Sequence, residues 1–170
     1  DNPGAKLTFV CVLSDKNLDE AEDLVLLGQK LGVDGVGFIP VHGIGAELRP
    51  VPTERMADFR RVTARLAEMK ERGLPVDNSA EYLRLYEPFV ASGKSPLRCY
   101  AGYNSLAVDC FGKIFPCFPW AEVDRAVGNV RETPLRDFWR SRAYNERRGE
   151  IAACTECLWN CQTELNLLFD

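Results

Sequence analysis

Lys6-Leu-Thr-Phe-Val-Cys-Val-Leu13 and Val33-Asp-Gly-Val-Gly-Phe-Ile-Pro-Val41 are two short, almost continuous apolar runs rich in β-branched residues. Runs of this kind read as strands covered on both faces. Between them, Ser14-Asp15-Lys16-Asn17 supplies cap-forming residues. Leu18, Ala21, Leu24, Val25, Gly28 and Leu31 then recur at helical spacing, with acidic residues early. Gly32 marks the helix stop. Residues 6–41 therefore form one strand–helix–strand unit with short connections, which predicts parallel strands joined by a right-handed crossover. The fold class is α/β, with an α+β character overall.

Residues 42–52 follow the second strand as a loop, at the end where α/β folds place ligands. His42 there is either a pocket residue or a loop histidine with a local hydrogen bond. Thr53 is expected to cap a long helix to about Arg72, with Met56, Phe59, Val62, Leu66 and Met69 on its buried stripe, ended by Gly73 and Pro75. Asn78 and Glu81 read as a capping box for a helix carrying Tyr82, Leu85, Tyr86 and Phe89. Ser92-Gly-Lys-Ser-Pro96 is the best boundary in the chain. Beyond it, segments become short and rich in Gly, Pro and aromatics. Asn104–Asp109 and Lys113–Cys117 flank Cys110-Phe111-Gly112, which predicts a β-hairpin with Gly at the turn. Thr133-Pro134 reads as a helix start, Thr as cap and Pro at the first position. Arg140, Arg142, Arg147 and Arg148 crowd the later half of that helix, where cations are favourable partners of the dipole.

At 170 residues the chain has room for one domain or two small ones. Its 46% hydrophobic and 27% charged content is ordinary for a globular protein. A formal net charge of −4 argues against a general nucleic-acid binder. No apolar run approaches a membrane span, and no signal peptide is visible at Asp1-Asn2-Pro3-Gly4. These features favour a cytoplasmic setting.

Six of the seven cysteines lie after residue 98, and three form Cys154-x2-Cys157-x3-Cys161. An odd count without a secretory context disfavours a disulfide framework, and such a cluster points to metal or iron–sulfur ligation. His42 is the one histidine, so an all-thiolate site is the natural candidate. Cys11, inside a strand, reads as a small buried apolar residue. Cys110, beside the hairpin glycine, reads as a non-ligand.

The ordered set is Cys99-x12-Gly112-x4-Cys117, a gap of 36 residues, then Cys154-x2-Cys157-x3-Cys161. Around it stand Cys99-Tyr-Ala-Gly-Tyr, Val108-Asp-Cys-Phe-Gly112, Ile114-Phe-Pro-Cys117, Val127-Gly-Asn-Val130 and Leu135-Arg-Asp-Phe-Trp139. Over residues 97–164 this resembles the auxiliary-cluster domain, called SPASM or in its shorter form twitch, of radical S-adenosylmethionine enzymes. Residues 6–32 and 33–72 are similar to the last two βα units of that family's partial (β/α)6 barrel. The resemblance divides the chain into barrel units (1–75), a helical linker (76–96) and an auxiliary-cluster domain (97–170).

It also implies chemistry. A [4Fe–4S] cluster needs four ligands, and five thiols are candidates: Cys99, Cys117, Cys154, Cys157 and Cys161. Carried over from the shorter auxiliary domains, the set is Cys99, Cys117, Cys154 and Cys157, with Cys161 competing with Cys154 for the fourth place. One cluster is expected, with zinc as a substitute that would only staple the domain. Trp159 is expected to shield the cluster; Trp120 and Trp139 read as ordinary packing. The family's Cys-x3-Cys-x2-Cys motif is not found in the chain. The S-adenosylmethionine site, its own [4Fe–4S] cluster and about four βα units are therefore expected in a preceding part of the same enzyme. No catalytic residue is assigned to this chain. The implied partners are that N-terminal part and a peptide or small-molecule substrate. A non-catalytic, zinc- or cluster-stabilised partner-binding module is the alternative.

Overall fold

The computed structural model describes residues 4–41 and 52–169. β1 (Thr8–Leu13) and β2 (Gly35–Pro40) lie parallel, with Thr8 opposite Gly35 and Leu13 opposite Pro40. α1 (Ala21–Leu31) crosses between them and ends at Gly32, whose φ of 70° is the left-handed conformation that glycine adopts freely. The step is then repeated. α2 (Met56–Glu71) carries the chain back to Val76, which bridges Val36 on the other side of β2 in parallel sense. The Val36 N–H donates to the Pro75 carbonyl at 2.6 Å, and the Asp77 N–H to the Val36 carbonyl at 3.0 Å.

The main core fills the space between this sheet and its helices. Leu13, Val25, Val36, Phe38, Phe59 and Leu66 are wholly buried. α3 (Ala80–Arg84) and α4 (Tyr86–Ser92) close it with Tyr82 and Tyr86, whose rings meet edge to face at 5.1 Å. Each buried phenol has its acceptor. Tyr86 donates to the Phe38 carbonyl at 2.6 Å and Tyr82 to the Leu158 carbonyl at 2.8 Å.

The remainder is smaller and looser. β3 (Ala107–Val108), β4 (Lys113–Phe115) and β5 (Gly128–Asn129) form an antiparallel sheet in that order. The hairpin between β3 and β4 turns at Gly112, with φ of 86°. α5 (Phe118–Glu122) links β4 to β5, and α6 (Leu135–Arg140), α7 (Arg142–Ala152) and α8 (Asn160–Asn166) follow. This region is tied to the first. Leu158 is wholly buried in the main core, and Glu164 of α8 accepts from the Ser79 N–H at 2.8 Å.

Several local expectations are corrected. β1 is not covered on both faces: Val10 and Val12 are 64% and 51% exposed, while Phe9, Cys11 and Leu13 face the core. Cys11 is accordingly half-buried. Thr53 does not cap α2; it opens a single 3-10 turn without a side-chain cap. Asn78 forms no capping box either. Its buried amide clasps the backbone of Phe38, accepting from the N–H at 2.6 Å and donating to the carbonyl at 3.1 Å, and Ser79 caps α3 instead. Pro134 precedes α6, with no cap from Thr133. The arginine-rich helix is two helices, separated at Ser141, which caps α7 through the Tyr144 N–H. Arg142 thus sits at a helix start, and Arg148 is buried rather than solvated.

Candidate metal centre

Separate elements deliver the cysteines. Cys99 lies just past the Ser92–Pro96 segment, and Cys117 is the residue that enters α5. Cys154 leaves α7, its N–H bonded to the Ile151 carbonyl at 2.9 Å. Cys157 is in the loop before α8, and Cys161 is in the first turn of that helix. All five line one cavity of about 460 Å³, together with apolar walls from Leu106, Phe118, Trp120, Ile151 and Trp159. All seven cysteines of the chain are free thiols. Among the described residues no three thiols, imidazoles or carboxylates are gathered closely enough to grip a single ion. The sulfurs line the wall of a larger space.

Electrostatics sorts the five. Burial pushes the Cys157 thiol up to about 12 and the Cys117 thiol up to about 11, and it raises Cys99 as well. Neighbouring thiols add to each rise. Cys154 acts on Cys99; Cys99 and Cys154 act on Cys117; Cys99, Cys117 and Cys154 act on Cys157. Cys154 thus acts on the other three across the cavity. Cys161, exposed at its rim, enters none of these couplings. It acts with Cys157 on the Tyr82 hydroxyl, whose ionisation burial already opposes.

Opposing the burial, main-chain N–H groups favour three of the thiolates: Ala101 at Cys99, Trp120 at Cys117 and Trp159 at Cys157. The contact at Cys117 is too loose to cap α5. Cys99 has a further donor in Asn166, which is nearly buried. The Asn166 Oδ1 accepts from the Tyr100 N–H at 3.0 Å and from Gln162 Nε2 at 2.8 Å. Its amino end is therefore the one left for the sulfur. Hydrogen bonds of this kind stabilise sulfur ligands and tune the metal they hold.

Cys110 is exposed on the hairpin and does not line the cavity. Cys11 lies in β1, away from it, with Asn17 Nδ2 at 3.6 Å from its sulfur. His42 falls outside the described residues. Trp159 lines the cavity, but so does Trp120, with the Arg125 guanidinium 4.0 Å over its ring; Trp139 does not. Asn166 escaped the sequence reading. Its one sequence signal is its place on α8, a helical turn beyond Gln162.

Residues 99–162 match the family model of SPASM, described as an iron-sulfur cluster-binding domain. That part of the chain is similar to SPASM domains. No curated protein matches the chain. A solved structure described as hexahistidine-tagged anSMEcpe with bound AdoMet has the same fold, with a TM-score of 0.50 at 14% identity. The likeness covers 94% of this chain and 51% of that one, so the chain spans about half the length of that protein.

Proposed function

We propose that the chain holds one [4Fe–4S] cluster on Cys99, Cys117, Cys154 and Cys157, as the auxiliary centre of a radical S-adenosylmethionine enzyme acting on a peptide or small molecule. The observation that carries this is the set of four thiols lining one cavity, three of them already met by main-chain N–H groups. The donor set suits the group: four thiolates are what such a cluster requires. Thiols spread around a cavity suit it better than zinc, whose sulfurs at about 2.3 Å draw together around one ion. When bound, such a cluster supplies a one-electron couple for relay, or a ligation point for substrate.

The chain's own residues do the rest. The aromatic and aliphatic walls exclude water. The N–H donors offset part of the cost that burial sets on a thiolate at three of the sulfurs, and the long-range ties of Leu158 and Glu164 fix the terminal cysteine loop against the first core. Cys161 stays a rim thiol outside the ligand set.

The β–α–β–α–β progression from Thr8 to Val76 supports the last units of a partial barrel over residues 1–75, linked through 76–96 to a twitch-like domain over 97–170. Among the described residues β1 pairs with β2 alone, and its outer face exposes Val10 and Val12. A preceding part of the same enzyme, carrying the S-adenosylmethionine cluster, is the partner proposed to cover them. Free thiols accord with a cytoplasmic setting, and among the described residues no helix is long and apolar enough to cross a membrane.

Anaerobic reconstitution with iron and sulfide tests the reading. The expected product is brown and carries about four irons and four sulfides per chain. Colourless protein with stoichiometric zinc after anaerobic preparation from iron-replete cells would sink it.

A further inference from the structure

Behind the Cys117 wall of the cavity lies a polar arrangement that the ligand set does not explain. Tyr144 of α7 is 1% exposed, yet its hydroxyl has no hydrogen-bond partner. A buried phenol of this kind normally finds one, because an unmet buried hydroxyl is costly. One turn further along α7, Arg148 is also buried. Its Nε donates to the Gly102 carbonyl at 2.7 Å, and it bonds the Asn145 side-chain oxygen. The guanidinium stands over the rings of Tyr144 at 4.3 Å, Trp139 at 4.5 Å and Tyr103 at 5.7 Å. Among the described residues no carboxylate forms an ion pair with it.

A buried cation without a counter-ion is expensive. Rings and neutral oxygens offset part of that cost. Burial pushes the Tyr144 hydroxyl up, with Arg148 opposing that rise and Cys117 adding to it. The hydroxyl sits so near Gly102 that a Cβ there would stand 3.1 Å from the oxygen and 3.0 Å from Ile151 Cδ1. Ile151, Pro116 and Cys117 all line the cavity. The hydroxyl is therefore packed beside Gly102, Ile151 and Pro116, and the last two are part of the cavity wall.

We propose that Tyr144 and Arg148 are positioning residues for the redox centre: the Tyr144 hydroxyl donates toward sulfur on the Cys117 side of the loaded site, and Arg148 sets a positive charge behind it. Both favour the more negative, reduced state, so the pair raises the reduction potential of the bound group. The inference rests on the cluster reading above and extends it from ligands to tuning.

The test compares reconstituted wild-type chain with Tyr144→Phe, Arg148→Met and Arg148→Lys. Iron content, thermal midpoint with and without metal, and the midpoint potential by anaerobic titration are measured. In Tyr144→Phe about four irons are retained and the metal-free chain is no less stable, since its hydroxyl has no partner there. At the wild-type midpoint potential the ratio of reduced to oxidised cluster falls about tenfold, a shift of about 59 mV to the negative for a one-electron couple. Arg148→Met shifts the same way, and Arg148→Lys recovers part of the loss by keeping the charge. An unchanged potential in Tyr144→Phe with about four irons bound overturns the inference and leaves the cluster reading intact. A wild-type chain that takes up no iron overturns both. Tyr144→Phe alone decides the matter if Arg148→Met does not fold.

Discussion

Cys117 and Cys157 set the terms on which this site is filled. Their thiols are pushed up to about 11 and about 12, against an ordinary 9.0, chiefly by burial. A metal binds the thiolate and must displace those protons, so loading weakens as pH falls. The metal-free chain responds in the opposite sense. A thiol that holds its proton more tightly when folded contributes stability that is complete below about 9 and is lost as pH rises toward 11 to 12. Denaturant titrations of the metal-free chain are therefore expected to show falling stability over that window. Cys157→Ala should flatten the fall, and the same slope in both proteins would contradict the burial assigned to this thiol. Substitution also sorts the seven cysteines. Cys99→Ala and Cys117→Ala are expected to abolish iron binding, whereas Cys110→Ala and Cys161→Ala retain about four irons. Loss of iron in Cys161→Ala with retention in Cys154→Ala would exchange those two residues in the ligand set.

The hairpin that carries Cys117 depends on Gly112. Its φ of 86° is a conformation that side chains resist, and a Cβ there would stand 2.8 Å from Asn129 Oδ1 on β5. Gly112→Ala is expected to cost about 1–2 kcal/mol from the backbone alone, with more from the crowding, seen as a lower thermal midpoint and poorer iron retention. This glycine and its hairpin were legible in the sequence, as were the parallel strands, the stripe of α2 and the stop at Gly32. Each is written locally, in turn residues or in periodicity. What was not legible depends on residues far apart in the chain. Asn78 carries the signature of a cap, but the fold spends its amide on Phe38, 40 residues away. Arg148 looks like a solvated cation at a helix end until Tyr103, Trp139 and Tyr144 are brought around it. The outer face of β1 has the apolar pattern of a covered strand, yet among the described residues nothing covers it. The candidate site divides in the same way. Five thiols were visible from spacing, but the face that each presents depends on how the 154–161 loop turns into α8.

That loop joins the two regions of the molecule, and the joint predicts how metal and folding are coupled. Leu158, between Cys157 and Trp159, is wholly buried in the first core, and its carbonyl takes the Tyr82 hydroxyl at 2.8 Å. Six residues on, Glu164 receives the Ser79 N–H. A group gripping Cys154 and Cys157 thus restrains a segment that is also part of the wall of the α/β core. Loading is expected to slow amide exchange in α3 as well as in residues 99–162, because opening either side breaks the same bonds. Tyr82→Phe tests the link from the opposite end. It leaves a buried carbonyl without its donor, at about 1–3 kcal/mol, and lies outside the cavity lining. The expected result is a lower unfolding midpoint together with faster iron loss to a chelator, in one cooperative transition. A variant destabilised in the first core that keeps wild-type iron retention would show two independent units, and the tie through Leu158 would then be a contact without thermodynamic weight.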